Sequence, residues 1–198
     1  RTPEPGVSRS SWFLTPSLIS SNLLGFGLKQ PYYQVINEHS DLTFSVLKTT
    51  KSGLIDAEFR HKFLNGEVNV KGAVAPDIED ADTSSYLKIQ GVQNLKNNVK
   101  IEYQTSLLSH RDFLGQYGYK EDDWLDSHLR ATSQSDRKLT QIETAYFTPL
   151  RDNPNPEPLI LPKFSNEEYW LSDTNNYSTE RKLDIVALTE KSSRSVRA

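Results

Sequence analysis

Cysteine and methionine are both absent from the 198 residues. Without cysteine there is no thiol nucleophile, no disulfide staple and no Cys-type zinc site. The compartment stays open. The chain starts at Arg1, and a stretch this long without methionine reads as a segment excised from a longer protein. No signal peptide is visible. The apolar runs fall far short of the ~18 residues that a transmembrane helix needs, which excludes a helical membrane protein. A basic excess is also missing. Net charge is −3 with Lys and Arg dispersed, so there is no basic stripe and nucleic acid is not an expected partner. The mean hydropathy of −0.63 does not separate a soluble protein from a barrel, because alternate barrel residues face a polar lumen. Nucleophile elbows, phosphate-cradling glycine loops and HExxH pairs are lacking too. Gly25-Phe26-Gly27 falls inside a predicted strand and is no phosphate cradle. His39, His61, His110 and His128 are scattered. No catalytic residue, metal site or cofactor is expected from these patterns.

What is present is alternation with period two. In Leu54 to Phe63, Ile55, Ala57, Phe59, His61 and Phe63 share one face and Asp56, Glu58, Arg60 and Lys62 the other. Successive strand side chains point to opposite faces, so this pattern is one apolar and one charged surface. Val68, Val70, Gly72 and Val74 alternate with Glu67, Asn69, Lys71 and Ala73. Val99, Ile101 and Tyr103 alternate with Lys100, Glu102 and Gln104. Helical spacing fits none of these segments as well. The reading is all-β: an antiparallel up-and-down meander forming part of a transmembrane β-barrel, over 1–198 as one barrel domain. About eleven strands of membrane-spanning length are predicted, near 11–19, 23–35, 41–50, 54–63, 67–75, 86–94, 98–107, 123–133, 138–147, 159–170 and 182–190.

Turn chemistry proposes the pairing. Asn65-Gly66 is a strong type I′ signal, since both centres of that turn need positive φ. A two-residue turn there pairs Phe63 with Val68, His61 with Val70 and Ala57 with Val74. It also sets Arg60 opposite Lys71, an unfavourable like-charge pair. A turn at Lys51-Ser52 pairs Phe44 with Phe59 and Val46 with Ala57. Both hairpins keep one face apolar. The connections near 36–40, 64–66, 95–97 and 134–137 are short, whereas those near 76–85, 108–122 and 148–158 are long. Short turns at one end and long loops at the other are the pattern of an outer-membrane barrel. The connection near 171–181 is long and breaks the rule. Asn153 to Pro162 is proline-rich and predicts an exposed loop feeding an edge-like or bulged strand.

Residues Ser11 to Phe63 carry a resemblance. Phe13-Leu14-Thr15-Pro16-Ser17, Gly25-Phe26-Gly27, Pro31-Tyr32-Tyr33, Asp41-Leu42-Thr43, Gly53-Leu54 and Glu58-Phe59-Arg60 follow the order and spacing of the first barrel strands of the LptD family, the lipopolysaccharide-assembly barrels of the Gram-negative outer membrane. Beyond Gly66 the likeness is looser: Phe113 to Tyr119 is similar to an acidic–aromatic loop, and Lys182 to Arg197 to a further strand and turn. Trp12 stands where the family usually has Gly. The family's periplasmic lipid-binding domain and closing strands lie outside the chain. Two sheet edges would then stay unpaired in lipid, where each unsatisfied backbone group costs several kcal/mol.

The resemblance implies non-catalytic passage of lipopolysaccharide through a lumen and a lateral gate. It implies as partners an LptE-type lipoprotein plug and, through the missing N-terminal domain, an LptA-type periplasmic β-jellyroll bridge. Pro16 and Pro31 are the implied gate residues, because strand prolines weaken the pairing where first and last strands meet. Prolines are equally at home in bulges or at rims. Asp56, Glu58, Arg60, Lys62, Glu67 and Lys71 would line the lumen, and Ile55, Ala57, Phe59, Phe63, Val68 and Val70 would face lipid. Alternation alone does not distinguish such a lumen from a solvated sheet face. Glu121, Asp122, Asp123 and Asp126 form an acidic cluster without calcium-loop spacing, read as a solvated loop. Trp12, Tyr32, Tyr33, Trp124, Tyr169 and Trp170 fall near predicted strand ends, where aromatic girdles sit. The competing readings are a general porin and a soluble all-β binding module or glycan-active enzyme, whose apolar faces would form a sandwich core.

Overall fold

A computed structural model describes residues 10–76, 83–119, 124–150, 159–171 and 178–189. Among these residues the strands are β1 (Trp12–Phe13), β2 (Ser17–Ser21), β3 (Gly25–Asn37), β4 (Ser40–Thr49), β5 (Gly53–Phe63), β6 (Gly66–Pro76), β7 (Thr83–Leu95), β8 (Val99–Leu108), β9 (Trp124–Ser135), β10 (Lys138–Pro149), β11 (Leu159–Leu171) and β12 (Ser178–Thr189), with one short helix, α1 (Phe113–Gln116). Each strand from β3 to β12 pairs with its sequence neighbour in an antiparallel meander, while β1 and β2 both pair with β3. The order is an open path and does not close on itself among the described residues. Because β1 and β2 occupy one edge position, the predicted eleven strand positions are present, with boundaries shifted by a few residues. No described helix is long and apolar enough to cross a membrane, which says nothing of crossing by strands.

Short and long connections separate as the sequence suggests. Those after β3, β5, β7 and β9 take residues 38–39, 64–65, 96–98 and 136–137, whereas those after β6, β8 and β10 take 77–82, 109–123 and 150–158. The proline-rich stretch 153–158 lies outside the described residues. Pro162 does sit at a bulge: Lys163 faces Glu143 and Ile160 faces Ala145, so residues 161 and 162 together oppose one residue of β10. A proline is tolerated there because a bulge already breaks the ladder.

Backbone contacts divide the chain into two compact units: residues 1–89 with 107–121, and residues 90–106 with 122–198. In the first unit both predicted hairpin registers shift by two. Phe63 pairs with Gly66, His61 with Val68, Phe59 with Val70, Ala57 with Gly72 and Ile55 with Val74. The turn is therefore Leu64-Asn65, and neither Asn65 nor Gly66 has positive φ. Phe44 pairs with Ala57 and Val46 with Ile55, and the backbone N–H of Thr49 donates to Ser52 O at 2.9 Å, closing the turn at Thr50-Lys51. A shift by two leaves every side chain on its predicted face, whereas a shift by one would have inverted them. It also removes the expected clash, because Arg60 now faces Asn69 and Lys71 faces Glu58. Positive φ at two successive residues falls elsewhere, at Asn97 and Asn98, whose φ values are 63° and 56°.

Two glycines explain the Gly25-Phe26-Gly27 element. Gly25 has φ +77°, and a Cβ on it would collide with the Thr50 hydroxyl. Gly27 faces Thr49 across β3 and β4, and its Cβ would lie 2.6 Å from Lys48 O. The backbones approach where side chains are excluded, while Phe26 between them points outward, 58% exposed.

In the second unit β8, β9, β10, β11 and β12 pair in sequence, and away from the bulge at Pro162 their rungs line up. Ile101, Ala131, Ile142, Phe164 and Ile185 form one rung, and Glu102, Arg130, Glu143 and Lys163 the next on the opposite face. The period-two pattern read at Val99 to Gln104 thus continues across five strands.

Candidate functional site

Both prolines singled out in the sequence lie where β1 and β2 meet β3 at the edge of the sheet. Phe13 pairs with Tyr32 and Ser17 with Lys29, and the N–H of Leu14 donates to Pro31 O at 3.0 Å. Thr15 and Pro16 together therefore oppose Gln30, which makes a β-bulge. The strand predicted over 11–19 is broken at this point: Pro16 lies between β1 and β2, while Pro31 lies inside β3. In an antiparallel pair, residues opposed like Leu14 and Pro31 exchange two N–H···O bonds. Proline lacks one of the two donors. The Gln30 side chain supplies it: its Nε2 donates to Leu14 O at 2.9 Å and to Pro31 O at 3.0 Å. Sequence reading missed Gln30, since nothing marks a glutamine as a backbone substitute before the bulge is known.

The bulge also corrects the face pattern. Phe13 shares a face with Tyr32 and Phe44, the ring centroids being 4.9 and 5.3 Å apart. Leu18 pairs with Leu28 on that same face. Tyr32 and Tyr33 are therefore mid-strand in β3, away from the strand ends where the sequence put them. Trp124, Tyr169 and Trp170 do lie at strand ends.

Asp56, Glu58, Arg60, Lys62, Glu67 and Lys71 share the opposite face of the first unit. They are tied by ion pairs: Lys71 to Glu58 at 3.5 Å, Arg60 to Asp41 at 2.7 Å and Lys29 to Asp56 at 2.6 Å. Asn69 donates to Glu58 at 2.7 Å. Lys29 and Asp41 belong to the same charged face and were not singled out in the sequence. Ile55, Ala57, Phe59, Phe63, Val68 and Val70 share the other face, where Ile55 is 56% and Phe44 37% exposed. His61 lies on this apolar face. Its ring sits between Phe59 and Phe63, and its Nδ1 hydrogen bonds Ser40 Oγ at 2.6 Å.

The polar face is the one that carries buried apolar residues, and only at one end. Leu47, Leu54, Ala73 and Ala75 are buried there. The segment through α1 lies at that end: the Tyr117 hydroxyl hydrogen bonds Ser52 Oγ at 2.8 Å and donates to Pro76 O at 3.1 Å. Phe113 and Leu114 are buried, and Phe113, Tyr117, Tyr119 and Tyr86 form a ring cluster. His110 anchors the segment's start through Ser84 and Ser109, both at 3.1 Å. Burial, reinforced by the negative charge of Asp56, pushes the Tyr119 phenol well above its ordinary range. The sequence marks residues 108–122 as a loop, and neither the helix nor its docking was legible.

In the second unit Arg130 lies between two carboxylates, 2.8 Å from Glu143 and 3.9 Å from Glu102. Of the acidic cluster, Glu121, Asp122 and Asp123 lie outside the described residues. Asp126 contacts His128 at 3.1 Å and accepts from Gln104 at 2.7 Å. No group of three or more His, Asp or Glu side chains is placed to share a metal ion among the described residues.

Fold and faces together define an open antiparallel β-meander with one apolar and one charged, ion-paired surface. No family model matches the chain, and no curated protein matches it significantly.

Proposed function

We propose that this chain is part of an outer-membrane β-barrel of the LptD type, which passes lipopolysaccharide through a hydrated lumen and out between its edge strands. The observation that carries this reading is the inverted distribution of the two faces. The apolar face is exposed, with Leu18 at 70% and Ile55 at 56%, while the face with the ion pairs holds the buried Leu47 and Leu54 at 2% and 3%. A soluble sheet does the reverse and covers its apolar side. A bilayer suits both faces, because lipid takes the apolar one and water the charged one.

The finer assignment rests on the ordered motifs from Phe13 to Arg60 and on the edge. There Pro16 sits in a bulge, and the donor that Pro31 lacks is replaced by one side-chain amide. Pro16 and Pro31 serve as the weak side of the gate, and the mixed-sign face from Asp56 to Lys71 lines the passage without forming a fixed anion site. The proposed partners are lipopolysaccharide, a lipoprotein plug of the LptE type and a periplasmic bridge of the LptA type. The transport breaks no covalent bond, so the protein is proposed to act without catalysis.

Single cysteines from Leu54 to Phe63 test this in isolated outer membranes, on a background free of native cysteine. Each is exposed to a membrane-impermeant thiol reagent. Reactivity at 56, 58, 60 and 62, with protection at 55, 57, 59 and 63 until detergent is added, is the expected pattern. Protection that persists in detergent, or recovery of the protein in the soluble fraction, turns the apolar face into a protein core and favours the soluble β-module.

A further inference from the structure

The apolar face of the second unit changes character along its strands. Ile142, Phe164 and Ile185 share one rung, with Ile142 52% and Ile185 54% exposed. Four residues towards the β9–β10 turn, on the same face, Lys138, Glu168 and Arg181 stand side by side. Lys138 Nζ is 3.1 Å and Arg181 Nη2 2.7 Å from the Glu168 carboxylate. Trp170 follows on that face, its ring 5.3 Å from the Arg181 guanidinium carbon. Two cations share one carboxylate, which leaves a positive excess held against an aromatic ring. Charges on a lipid-facing surface are costly at the bilayer centre and tolerated at its rim. An amphipathic indole prefers the headgroup level, and long cationic side chains reach the phosphates from there.

We propose that the Lys138–Glu168–Arg181–Trp170 cluster sits in the phosphate layer of the bilayer, with Lys138 and Arg181 taking phospholipid phosphate oxygens, and so fixes how deep the strands stand in the membrane. This rests on the membrane reading above and adds a location to it. The Ile142 rung lies four residues further on, about 14 Å along the strand at ~3.4 Å per residue, and falls inside the hydrocarbon. Glu168 lies between the two cations and bridges them, one carboxylate oxygen to each.

The test is depth-dependent quenching in the full chain inserted into phosphatidylcholine–phosphatidylglycerol vesicles. Trp12 and Trp124 are replaced by Phe so that Trp170 reports alone. Quenching of Trp170 by a headgroup spin label about twofold stronger than by a mid-chain label is expected for a headgroup-level indole. A second variant, I142W with W170F, should show the opposite preference. Equal or stronger quenching of Trp170 by the mid-chain label overturns the proposal while leaving the membrane reading intact. A chain that stays unquenched and unbound to vesicles overturns both, the membrane reading first.

Discussion

The side-chain amide of Gln30 donates to the carbonyl of Leu14 at 2.9 Å, where the N–H that Pro31 lacks would otherwise point. The edge pairing of β1 with β3 is therefore intact in number of bonds but different in kind. A side chain with several torsions replaces a backbone donor fixed by the strand itself. Gln30→Ala should weaken this contact by about 1 kcal/mol, the usual net worth of one hydrogen bond. Faster exchange of the Leu14 amide, with β4 and β5 amides unchanged, is the signature to seek. Unaltered exchange at Leu14 means the amide is incidental.

Pro31→Ala should act in the opposite sense. The restored N–H completes the two-bond exchange with Leu14, adds up to about 1 kcal/mol of edge pairing and slows Leu14 exchange. Under the proposed function, the tighter edge lowers lipopolysaccharide export in cells, and combining it with Pro16→Ala lowers it further. Normal export by a well-folded double variant removes the prolines from the gate.

Gly27→Ala should destabilise the β3–β4 pairing by more than about 1 kcal/mol, in the range of overpacked sites. The added Cβ would lie 2.6 Å from both Lys48 O and Thr49 Cγ2, and the backbone oxygen has little freedom to give way. Phe26→Ala, at an outward position, tests the contrast. A denaturant midpoint lowered more by F26A than by G27A in micelles contradicts this account.

Arg130 should be coupled to Glu143 across β9 and β10. The Glu102, Arg130 and Glu143 side chains are partly exposed, between 20% and 36%, so a coupling of about 1 kcal/mol, the upper end for exposed pairs, is expected. Arg130→Gln also leaves Glu102 and Glu143 without the cation between them, and should cost more than Glu143→Gln. A double-mutant cycle with zero coupling means the two strands are held by backbone pairing alone.

Tyr119 gives the docked segment an alkaline limit. Its phenol titrates above the ordinary tyrosine value because burial, and secondarily Asp56, disfavour the phenolate. The folded form therefore keeps a proton that the released segment loses. Docking is at full strength below pH of about 10, the free tyrosine value. It weakens as pH rises from there towards the higher folded value. Proteolysis of residues 109–119 should accelerate above that pH in the native chain and much less in Tyr119→Phe. Equal acceleration in both assigns the effect to other groups.

The faces were legible in the sequence because period-two alternation is a local property. Ile55 to Phe63 declares its two surfaces without reference to any partner strand. Pairing was less legible. Asn65-Gly66 has the composition of a type I′ turn, yet the chain turns at Leu64-Asn65, where the register brings Lys71 to Glu58 and relieves the clash with Arg60. Cross-strand charge outweighed turn propensity there. The bulge at Thr15-Pro16 was hidden for a different reason. An inserted residue appears only as a break in alternation, and Leu14 to Ser17 has too few polar residues to reveal one. Leu47, Leu54 and Ala75 are buried at the end of the polar face where Tyr117 ties down the segment through α1, and as apolar residues on an otherwise polar face they read singly as noise.

The bulge has a consequence for how this edge tolerates change. Two residues opposing one means that everything before Thr15 is offset by a single step from everything after Pro16. Losing either residue would leave Phe13 opposite Tyr32 and Ser17 opposite Lys29, and the edge would run as one unbroken strand with every other side chain on the face it already holds. A one-codon deletion here removes only the spare residue, whereas a one-codon deletion inside β2 would force the strand to slip against β3. The edge should therefore accept varied residues at 15 and 16, and the loss of one of them, more readily than a change of length a few residues on.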